Sequence, residues 1–251
     1  MTARILIIAG SDSGGGAGIQ ADIKTVTMLG GHAMTAITAI TAQNTLGVTN
    51  VHAVPADTVI AQIDAVASDI GVDAIKIGMI GAAETALRVA ERIAEIGAPI
   101  VFDPVMIATS GAALADADTI AAFARLMNLA TITTPNLPEL EALGGEATAV
   151  RQAGQLLIKG GHATGETLVD RLVDHTGEVM RWEDARIDTR HTHGTGCTLA
   201  SAIATGLGQG LALVDAIDRA RHFVRAALLA APGLGAGHGP MGHQAAHGFS
   251  A

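Results

Sequence analysis

The sequence is poor in aromatic and basic residues. It contains no tyrosine, four phenylalanines and one tryptophan in 251 residues, which leaves few rings on which exposed bases can stack. Lys and Arg number 15 against 24 Asp and Glu, and the formal net charge is -9. Neutralising a phosphate backbone requires clustered basic side chains. We therefore expect no nucleic acid partner.

Cysteine and long apolar runs are also scarce. The single cysteine, Cys197, excludes an intramolecular disulfide and gives no sign of an oxidising compartment, so we expect a cytoplasmic protein. The uncharged stretch 25–56 is interrupted by Thr, Gly, His, Gln and Asn. These polar residues argue against a membrane span, so we expect no membrane partner and interpret the stretch as buried sheet.

Apolar residues and glycine are abundant. Apolar residues make up 49% of the chain and glycine contributes 31 positions, a mixture typical of buried strands and helices joined by short loops. The length fits one domain over residues 1–251. Runs rich in Ile, Val, Thr and Ala predict strands buried on both faces. These are Arg4–Ala9, His32–Ala39, Ala74–Ile77, Ile100–Phe102, Thr131–Thr133 and Gln155–Lys159.

Helical patterns lie between these strands. Thr58–Ile70 and Glu84–Ile96 each place their apolar residues on one stripe, and Thr195–Gly208 and Leu213–Ala231 are also helical. This alternation predicts a three-layer α/β/α fold with a mainly parallel central sheet.

The later part of the chain departs from the alternation. Two strand candidates, Thr167–Asp174 and Glu178–Glu183, are separated by His175-Thr176-Gly177 and predict an antiparallel hairpin at the sheet edge. Residues 235–251 are rich in Gly and His. We interpret this last stretch as a loose tail in preference to a weak metal site.

The motif His193-Gly194-Thr195-Gly196-Cys197-Thr198 stands at the start of a predicted helix. Glycines there leave backbone N–H groups uncovered, and these groups with the helix dipole form an anion site suited to a phosphoryl group in transfer. Cys197 lies in the first turn, where the dipole is expected to lower the pKa of its thiol and prepare it as a general base. The alternatives are an ordinary turn with an N-cap and a small buried thiol.

A glycine-rich loop, residues 9–22, joins the first strand to the first helix. Its spacing fits only a loosened G-x-G-x-x-A form, and no Lys-Ser or Lys-Thr follows at the P-loop distance. A loop at the carboxyl end of a parallel strand can instead line a substrate crevice, and a plain strand-to-helix connection is the alternative.

Polar residues follow three further predicted strands. Asp103, Asn136 with Glu139, and Lys159 each stand just after or at the end of a strand. Carboxylate and amide oxygens suit Mg²⁺ beside nucleotide phosphates, and a lysine suits the phosphates themselves. Asn136 and Glu139 also satisfy a helix capping box, and both roles can hold together.

Taken together, these residues resemble the hydroxymethylpyrimidine/phosphomethylpyrimidine kinase family, within the ribokinase-like superfamily. The resemblance runs nearly end to end. It is carried by AGSDSGGGAGIQADIKT at 9–25, TAQNTLGV at 41–48, IKIGM at 75–79, FDPVM at 102–106, TPNLPEL at 134–140, LIKGGH at 157–162 and THGTGCTLASAIA at 192–204.

The resemblance implies a ribokinase-like kinase of thiamine biosynthesis. Its substrates would be ATP with Mg²⁺ and 4-amino-5-hydroxymethyl-2-methylpyrimidine, followed by the monophosphate of that pyrimidine. Gln43 would recognise the aminopyrimidine, because a carboxamide matches a ring nitrogen beside an exocyclic amine. The same pocket would be lined by Gly10, Ala17, Asp22, Met79 and Val105. A homodimer is the expected assembly.

The resemblance also implies roles at the phosphate end. Asp103 and Glu139 would hold the metal, Asn136, Glu139 and Lys159 would serve the nucleotide, and Gly194, Thr195 and Gly196 would form the anion hole beside Cys197. Two alternatives remain open: a pyridoxal kinase of the same superfamily, and a pyrimidine-binding regulator without catalysis. Gln43 favours the aminopyrimidine, and the presence of Cys197 and the acidic residues favours catalysis.

Overall fold

The computed structural model describes residues 1–108, 111–162 and 165–246. Its strands are β1 (Arg4–Asp12), β2 (His32–Gln43), β3 (Val48–Ala53), β4 (Ala74–Ile77), β5 (Ile100–Phe102), β6 (Ile132–Thr133), β7 (Gln155–Ile158), β8 (Thr167–Asp174) and β9 (Gly177–Ala185). Its helices are α1 (Gly18–Met28), α2 (Ala56–Asp69), α3 (Ala83–Ala94), α4 (Ala117–Leu129), α5 (Leu137–Ala142), α6 (Glu146–Ala153), α7 (Thr195–Gly208) and α8 (Leu213–Leu229).

The described residues form one nine-stranded sheet in the order β3-β2-β1-β4-β5-β6-β7-β8-β9. From β2 to β7 the neighbouring strands pair in parallel, while β3 at one edge and β8 with β9 at the other pair antiparallel. The predicted mainly parallel sheet with an antiparallel edge hairpin is confirmed. In the sheet, β2 lies on one side of β1 and β4 lies on the other, so the strand order reverses at β1. Ligands of open α/β sheets bind at such a reversal.

The central strands separate two apolar cores. Leu6 and Ile8 of β1 belong to the core beneath α2, α3, α4 and α6, whereas Ile5 and Ile7 belong to the core beneath α1, α7 and α8. All four side chains are fully buried, as the two-residue period of a strand covered on both faces requires. The predicted three-layer α/β/α architecture is therefore confirmed.

Three elements escaped the sequence analysis: β3, α4 and α6. The stretch 25–56 is not uniformly buried sheet, because α1 continues to Met28 and β3 is largely exposed at the sheet edge. The helix α4 was also missed; its N-cap is Asp116, whose carboxylate accepts a hydrogen bond from the Thr119 amide at 2.8 Å. Within the described ranges, no helix has the combination of length and apolarity that crossing a membrane requires.

The expected loose tail packs against the domain as far as Ala246. Met241, His243 and Ala246 are buried, and His243 shares a 2.8 Å hydrogen bond with the hydroxyl of Thr198 in α7. The apolar and hydrogen-bonding contacts of this segment outweigh its glycine-rich composition. Residues 247–251 of the predicted tail lie outside the described residues.

Candidate active site

A cleft of about 770 Å³ opens at the carboxyl ends of the parallel strands. It extends from the glycine-rich loop after β1, past the ends of β4 to β7, to the start of α7. Most residues named from the sequence line it: Gly10, Ala17, Gln43, Met79, Asp103, Val105, Asn136, Glu139, Lys159, Gly194, Thr195, Gly196 and Cys197. Asp22 is absent from the described lining residues and is fully buried beneath the cleft.

The two glycine loops meet at the start of α7. Gly194 is the N-cap and has a φ of 86°, in the left-handed region that favours glycine. A side chain there would overlap the carbonyl oxygen of Gly16. The amides at the mouth of α7 are therefore held against the first glycine loop, and the helix dipole adds partial positive charge there.

An ion pair lies beside these amides. The Lys159 ammonium is 2.7 Å from Asp103 Oδ1, and Thr134 donates a 3.0 Å hydrogen bond to the same oxygen. A β-carbon added to Gly196 would lie 3.2 Å from Asp103 Oδ2 and 3.3 Å from Lys159 Nζ. Both charged groups thus approach the backbone of the anion site, Asp103 directly after β5 and Lys159 directly after β7.

Glu139 completes the capping box that the sequence predicted. Its carboxylate accepts a hydrogen bond from the backbone amide of Asn136 at 2.8 Å. Its own backbone amide donates to Asn136 Oδ1 at 2.9 Å, so the capping box is complete. The carboxylate also lies 3.9 Å from Lys159 Nζ. Burial raises the pKa of Glu139 to about 7, since it outweighs the attraction of Lys159, and the nearby Asp103 adds to the rise.

Glu139→Gln should flatten the dependence of stability on pH. Glu139 prefers its proton in the folded state, so its stabilising contribution is complete below about pH 4.5 and is lost as pH rises through about 7. Glutamine keeps the capping box but has no proton to lose. Urea unfolding at about pH 5 and about pH 8 should show a smaller loss of unfolding free energy for the variant than for the parent protein. An equal loss in both proteins would contradict the shifted pKa.

The sequence analysis missed Lys76, which is fully buried yet lines the cleft. Its ammonium is 2.8 Å from Asp22 Oδ2, and Ser201 donates a 2.7 Å hydrogen bond to Asp22 Oδ1. Asp22 therefore contacts Lys76 and Ser201 instead of lining the substrate pocket. A lysine within a strand predicted to be buried on both faces was the available signal, because buried lysines are rare unless paired.

The thiol of Cys197 differs from the prediction made for it. Burial raises its pKa to about 11, and the Lys76 ammonium only partly offsets that rise. The expected lowering by the helix dipole is wrong for this protein. The thiol lies beside Asp22 and Asp103, whose negative charges also disfavour a thiolate.

Gln43 belongs to a hydrogen-bonded group that the sequence analysis did not assemble. Its amide lies 3.2 Å from His193 Nε2 and 3.2 Å from the hydroxyl of Thr41. His193 Nε2 is also 2.9 Å from Asp12 Oδ2, which accepts from the Gly16 and Ala17 amides. Burial would raise the pKa of Asp12, but the hydrogen bond from His193 and those from backbone amides hold it below its usual value.

The sequence analysis also missed the charged residues at the far end of the cleft. There Arg221, nearly buried, contacts Asp170 at 2.9 Å and pairs with Asp184. Four apolar residues line the cleft as well: Ile187, Leu199, Val224 and Leu228, of which Val224 and Leu228 follow Arg221 by one and two turns of α8. The sequence predicted β8, β9 and α8, which carry the three charged residues. It did not show that the three elements lie next to one another in the fold.

The comparisons with known proteins agree with this geometry. The family described as phosphomethylpyrimidine kinase matches residues 12–242. This chain belongs to that family. Hydroxymethylpyrimidine/phosphomethylpyrimidine kinase from Rhizobium meliloti is 47% identical, with 97% of each chain covered. Thiamine biosynthesis bifunctional protein ThiED from Geobacter sulfurreducens is 46% identical over 95% of this chain, which spans only 52% of that longer protein.

Solved structures give the same fold. Pyridoxal kinase from Staphylococcus aureus, in complex with AMP-PCP and pyridoxal, superposes with a TM-score of 0.86 at 31% identity, covering 98% of this chain and 94% of that one. The predicted ribokinase-like fold, the family and its kinase activity are thereby confirmed. The higher identity of the pyrimidine kinases favours the main interpretation over a pyridoxal kinase.

Proposed function

We propose that this phosphomethylpyrimidine kinase family member transfers the γ-phosphate of ATP to 4-amino-5-hydroxymethyl-2-methylpyrimidine and then to the resulting monophosphate. One observation supports this most strongly. The cleft brings together the amides at the start of α7, the Asp103–Lys159 pair and the carboxamide of Gln43. An anion site and a heterocycle-reading amide in one cleft suit phosphoryl transfer to a heteroaromatic alcohol.

At the end of the cleft that would bind the ATP phosphates, the charge of each group suggests its role. The backbone amides at Gly194, Thr195 and Gly196 would stabilise the charge that develops on the transferred group. Lys159 would contact the phosphates, and its pairing with Asp103 keeps its ammonium positioned beside Gly196. Asn136 would act by keeping Glu139 in place through the capping box.

The acidic residues fit a magnesium ion that enters with the nucleotide. Asp103 and Glu139 provide carboxylate oxygens at the same end of the cleft as the anion site. Mg²⁺ in kinases is typically held by one or two carboxylates together with phosphate and water oxygens. Bound there, the ion would neutralise phosphate charge during transfer. The raised pKa of Glu139 means that metal binding would compete with its protonation at neutral pH.

The pyrimidine would lie between the first glycine loop and Gln43. Gly10, Ala17, Met79 and Val105 line that part of the cleft. A β-carbon at Gly10 would lie 3.0 Å from the Met79 sulfur, so a larger residue would crowd the pocket wall. Asp22 would act indirectly, by holding Lys76 at the base of the cleft.

The far end of the cleft would receive the nucleotide base. The apolar side chains beside Arg221 give a surface suited to a flat heterocycle, and the arginine is already neutralised by Asp170 and Asp184. This leaves the charged end of ATP to Lys159 and the α7 amides. The proposal places the enzyme in the cytoplasm, where ATP is present and a free thiol stays reduced.

Cys197→Ser should lower turnover strongly while leaving pyrimidine binding largely intact. As a general base, Cys197 would have to be ionised to accept the hydroxyl proton, and serine is a poorer base of similar size. Because the thiol pKa is about 11, the thiolate fraction grows about tenfold per pH unit below it. The kcat/KM of the parent protein should therefore rise between about pH 7 and about pH 9, and this rise should vanish in the variant. Unchanged turnover would remove Cys197 from the base role.

The proposed homodimer would use the edge formed by β2 and β3. Ile40, Leu46 and Val51 are exposed there by 53%, 69% and 42%, and an uncovered edge strand offers unpaired backbone groups to a second copy. Ile40→Glu with Val51→Glu should shift the mass in analytical ultracentrifugation from dimer to monomer. Leu229→Glu, at a still more exposed apolar position at the end of α8, serves as the control. A dimer that survives the double substitution would exclude this edge as its interface.

The substrate assignment is tested by measuring ADP release. The purified protein should release ADP with the pyrimidine alcohol and with its monophosphate, and much more slowly with pyridoxal. Preferential turnover of pyridoxal would replace the proposal with the pyridoxal kinase alternative. Release with none of the three would remove both.

A further inference from the structure

The orientation of the Gln43 carboxamide can be assigned from its neighbours. The oxygen and nitrogen of an amide exchange places on a 180° rotation, so the hydrogen-bond partners must decide which is which. The structure has Oε1 toward the Thr41 hydroxyl and Nε2 toward His193 Nε2, both at 3.2 Å, and the exchanged assignment fits the same atom positions. Each neighbour has only one hydrogen to give, so each contact constrains the amide independently.

The Thr41 contact requires a donor on Gln43. The Thr41 hydroxyl lies 2.9 Å from the Ser11 carbonyl oxygen, which can only accept, so the hydroxyl hydrogen is used there. The remaining capacity of the Thr41 oxygen is to accept. The Gln43 atom that faces Thr41 is therefore the NH2 group.

The His193 contact requires an acceptor on Gln43. Asp12 is a carboxylate surrounded by donors: Gly14 donates to Oδ1, and Gly16 and Ala17 donate to Oδ2. His193 Nε2 lies 2.9 Å from Oδ2 and must carry a hydrogen, because a carboxylate can only accept. An N–H at Nε2 can face only an acceptor on Gln43, which is the amide oxygen. The two constraints are independent and select the same orientation.

We infer that the Asp12–His193 pair and Thr41 fix the Gln43 amide in one orientation, and that this makes the enzyme select 4-aminopyrimidines against their deaminated 4-oxo counterparts. The inference rests on the proposed function, because it concerns how the same substrate is read. His193 and Thr41 act as positioning residues, since they act through Gln43.

The chemistry of the two pyrimidines explains the selection. A 4-aminopyrimidine presents an acceptor at N3 beside a donor at the amine, whereas the 4-oxo compound presents an N3–H donor beside a carbonyl acceptor. A carboxamide that rotates freely can pair with either pattern. Rotating Gln43 here would set an N–H against the His193 N–H and an oxygen against a hydroxyl with no hydrogen left to give. Gln43 is half-buried and its neighbours Thr41 and His193 are buried, so unmatched groups there are costly and the reversed pattern is rejected.

The test measures selectivity. ADP release gives kcat/KM for the hydroxymethyl aminopyrimidine and for 5-hydroxymethyl-2-methylpyrimidin-4-one, and their ratio is compared among variants. In Thr41→Val and in His193→Leu the ratio should fall by about tenfold or more. His193→Gln, which can still present an N–H to Asp12, should keep the ratio within about threefold of the parent protein. A general loss of structure would lower both rates and leave the ratio unchanged.

Two results would overturn the inference. The first is an unchanged ratio in both Thr41→Val and His193→Leu. The second comes from neutron diffraction of the parent protein, which distinguishes the deuterated NH2 group from the oxygen directly. An NH2 group that faces His193 would contradict the assignment. An NH2 group that faces Thr41 would support it. The neutron measurement stands even if the variants lose all activity. Failure of the parent protein to phosphorylate either pyrimidine, with the NH2 group still facing Thr41, would reject the proposed substrate and leave the amide orientation standing.

Discussion

Gly194→Ala should lower kcat by about 10² to 10³, the loss typical of removing one donor from an oxyanion site. At a φ of 86°, an alanine side chain would overlap the carbonyl oxygen of Gly16. The loop can relieve that overlap only by moving the amides that point at the transferred phosphoryl group. Steady-state ADP release at saturating pyrimidine and ATP measures the effect.

Gly97→Ala is the matched control for this substitution. Gly97 also has a positive φ, of 70°, but a β-carbon there meets nothing within 4 Å. Both variants therefore carry a similar backbone cost, of about 1 kcal/mol, while only Gly194→Ala disturbs the cleft. Urea unfolding of both proteins separates stability from activity. A Gly194→Ala enzyme whose kcat stays within about threefold of the parent value would contradict the anion-site assignment.

Lys76→Met should destabilise the protein by about 3 to 5 kcal/mol, because removing one partner of a buried ion pair leaves the other charge uncompensated. Both side chains of the Lys76–Asp22 pair are fully buried, 2.8 Å apart. Burial would lower the pKa of Lys76, but the charge of Asp22 overcomes that effect and keeps the pKa raised. The lysine is therefore charged when its partner is present. Urea unfolding at about pH 7 measures the loss.

The double variant Lys76→Met with Asp22→Asn should recover most of that stability. Asparagine can still accept the hydrogen bond from Ser201, and no buried charge remains. Turnover should stay low in the double variant, because Lys76 lowers the pKa of the Cys197 thiol more than Asp22 raises it, and both are removed. A double variant as unstable as Lys76→Met alone would show that the loss came from packing instead of charge.

The sequence revealed the central strands well because their signal is local. Ala74–Ile77 and Ile100–Phe102 are predicted with the bounds that the structure shows, since a strand covered on both faces is a short apolar run between glycines and helices. The edge strand β3 lacks that signal because most of its residues are exposed. Its pairing with β2 depends on the sheet and not on its own composition.

The same distinction holds for the site. Strand ends and helix starts could be read from the sequence, and their residues line one cleft, because parallel strands deliver their carboxyl ends to one edge. The partners of Lys76 and His193 could not be assigned, since Asp22 and Asp12 lie 54 and 181 residues away from them in the chain. The pKa of Cys197 was predicted in the wrong direction because the dipole argument is local, whereas burial is set by the whole fold.

A crystal structure with AMP-PCP, Mg²⁺ and the hydroxymethyl aminopyrimidine tests the central claim most directly. The account predicts γ-phosphate oxygens at hydrogen-bonding distance, about 2.7 to 3.2 Å, from amides of Gly194 to Gly196. It also predicts the pyrimidine edge against Gln43 with the hydroxyl directed toward Cys197. A γ-phosphate bound away from the start of α7, or a pyrimidine bound away from Gln43, would contradict it.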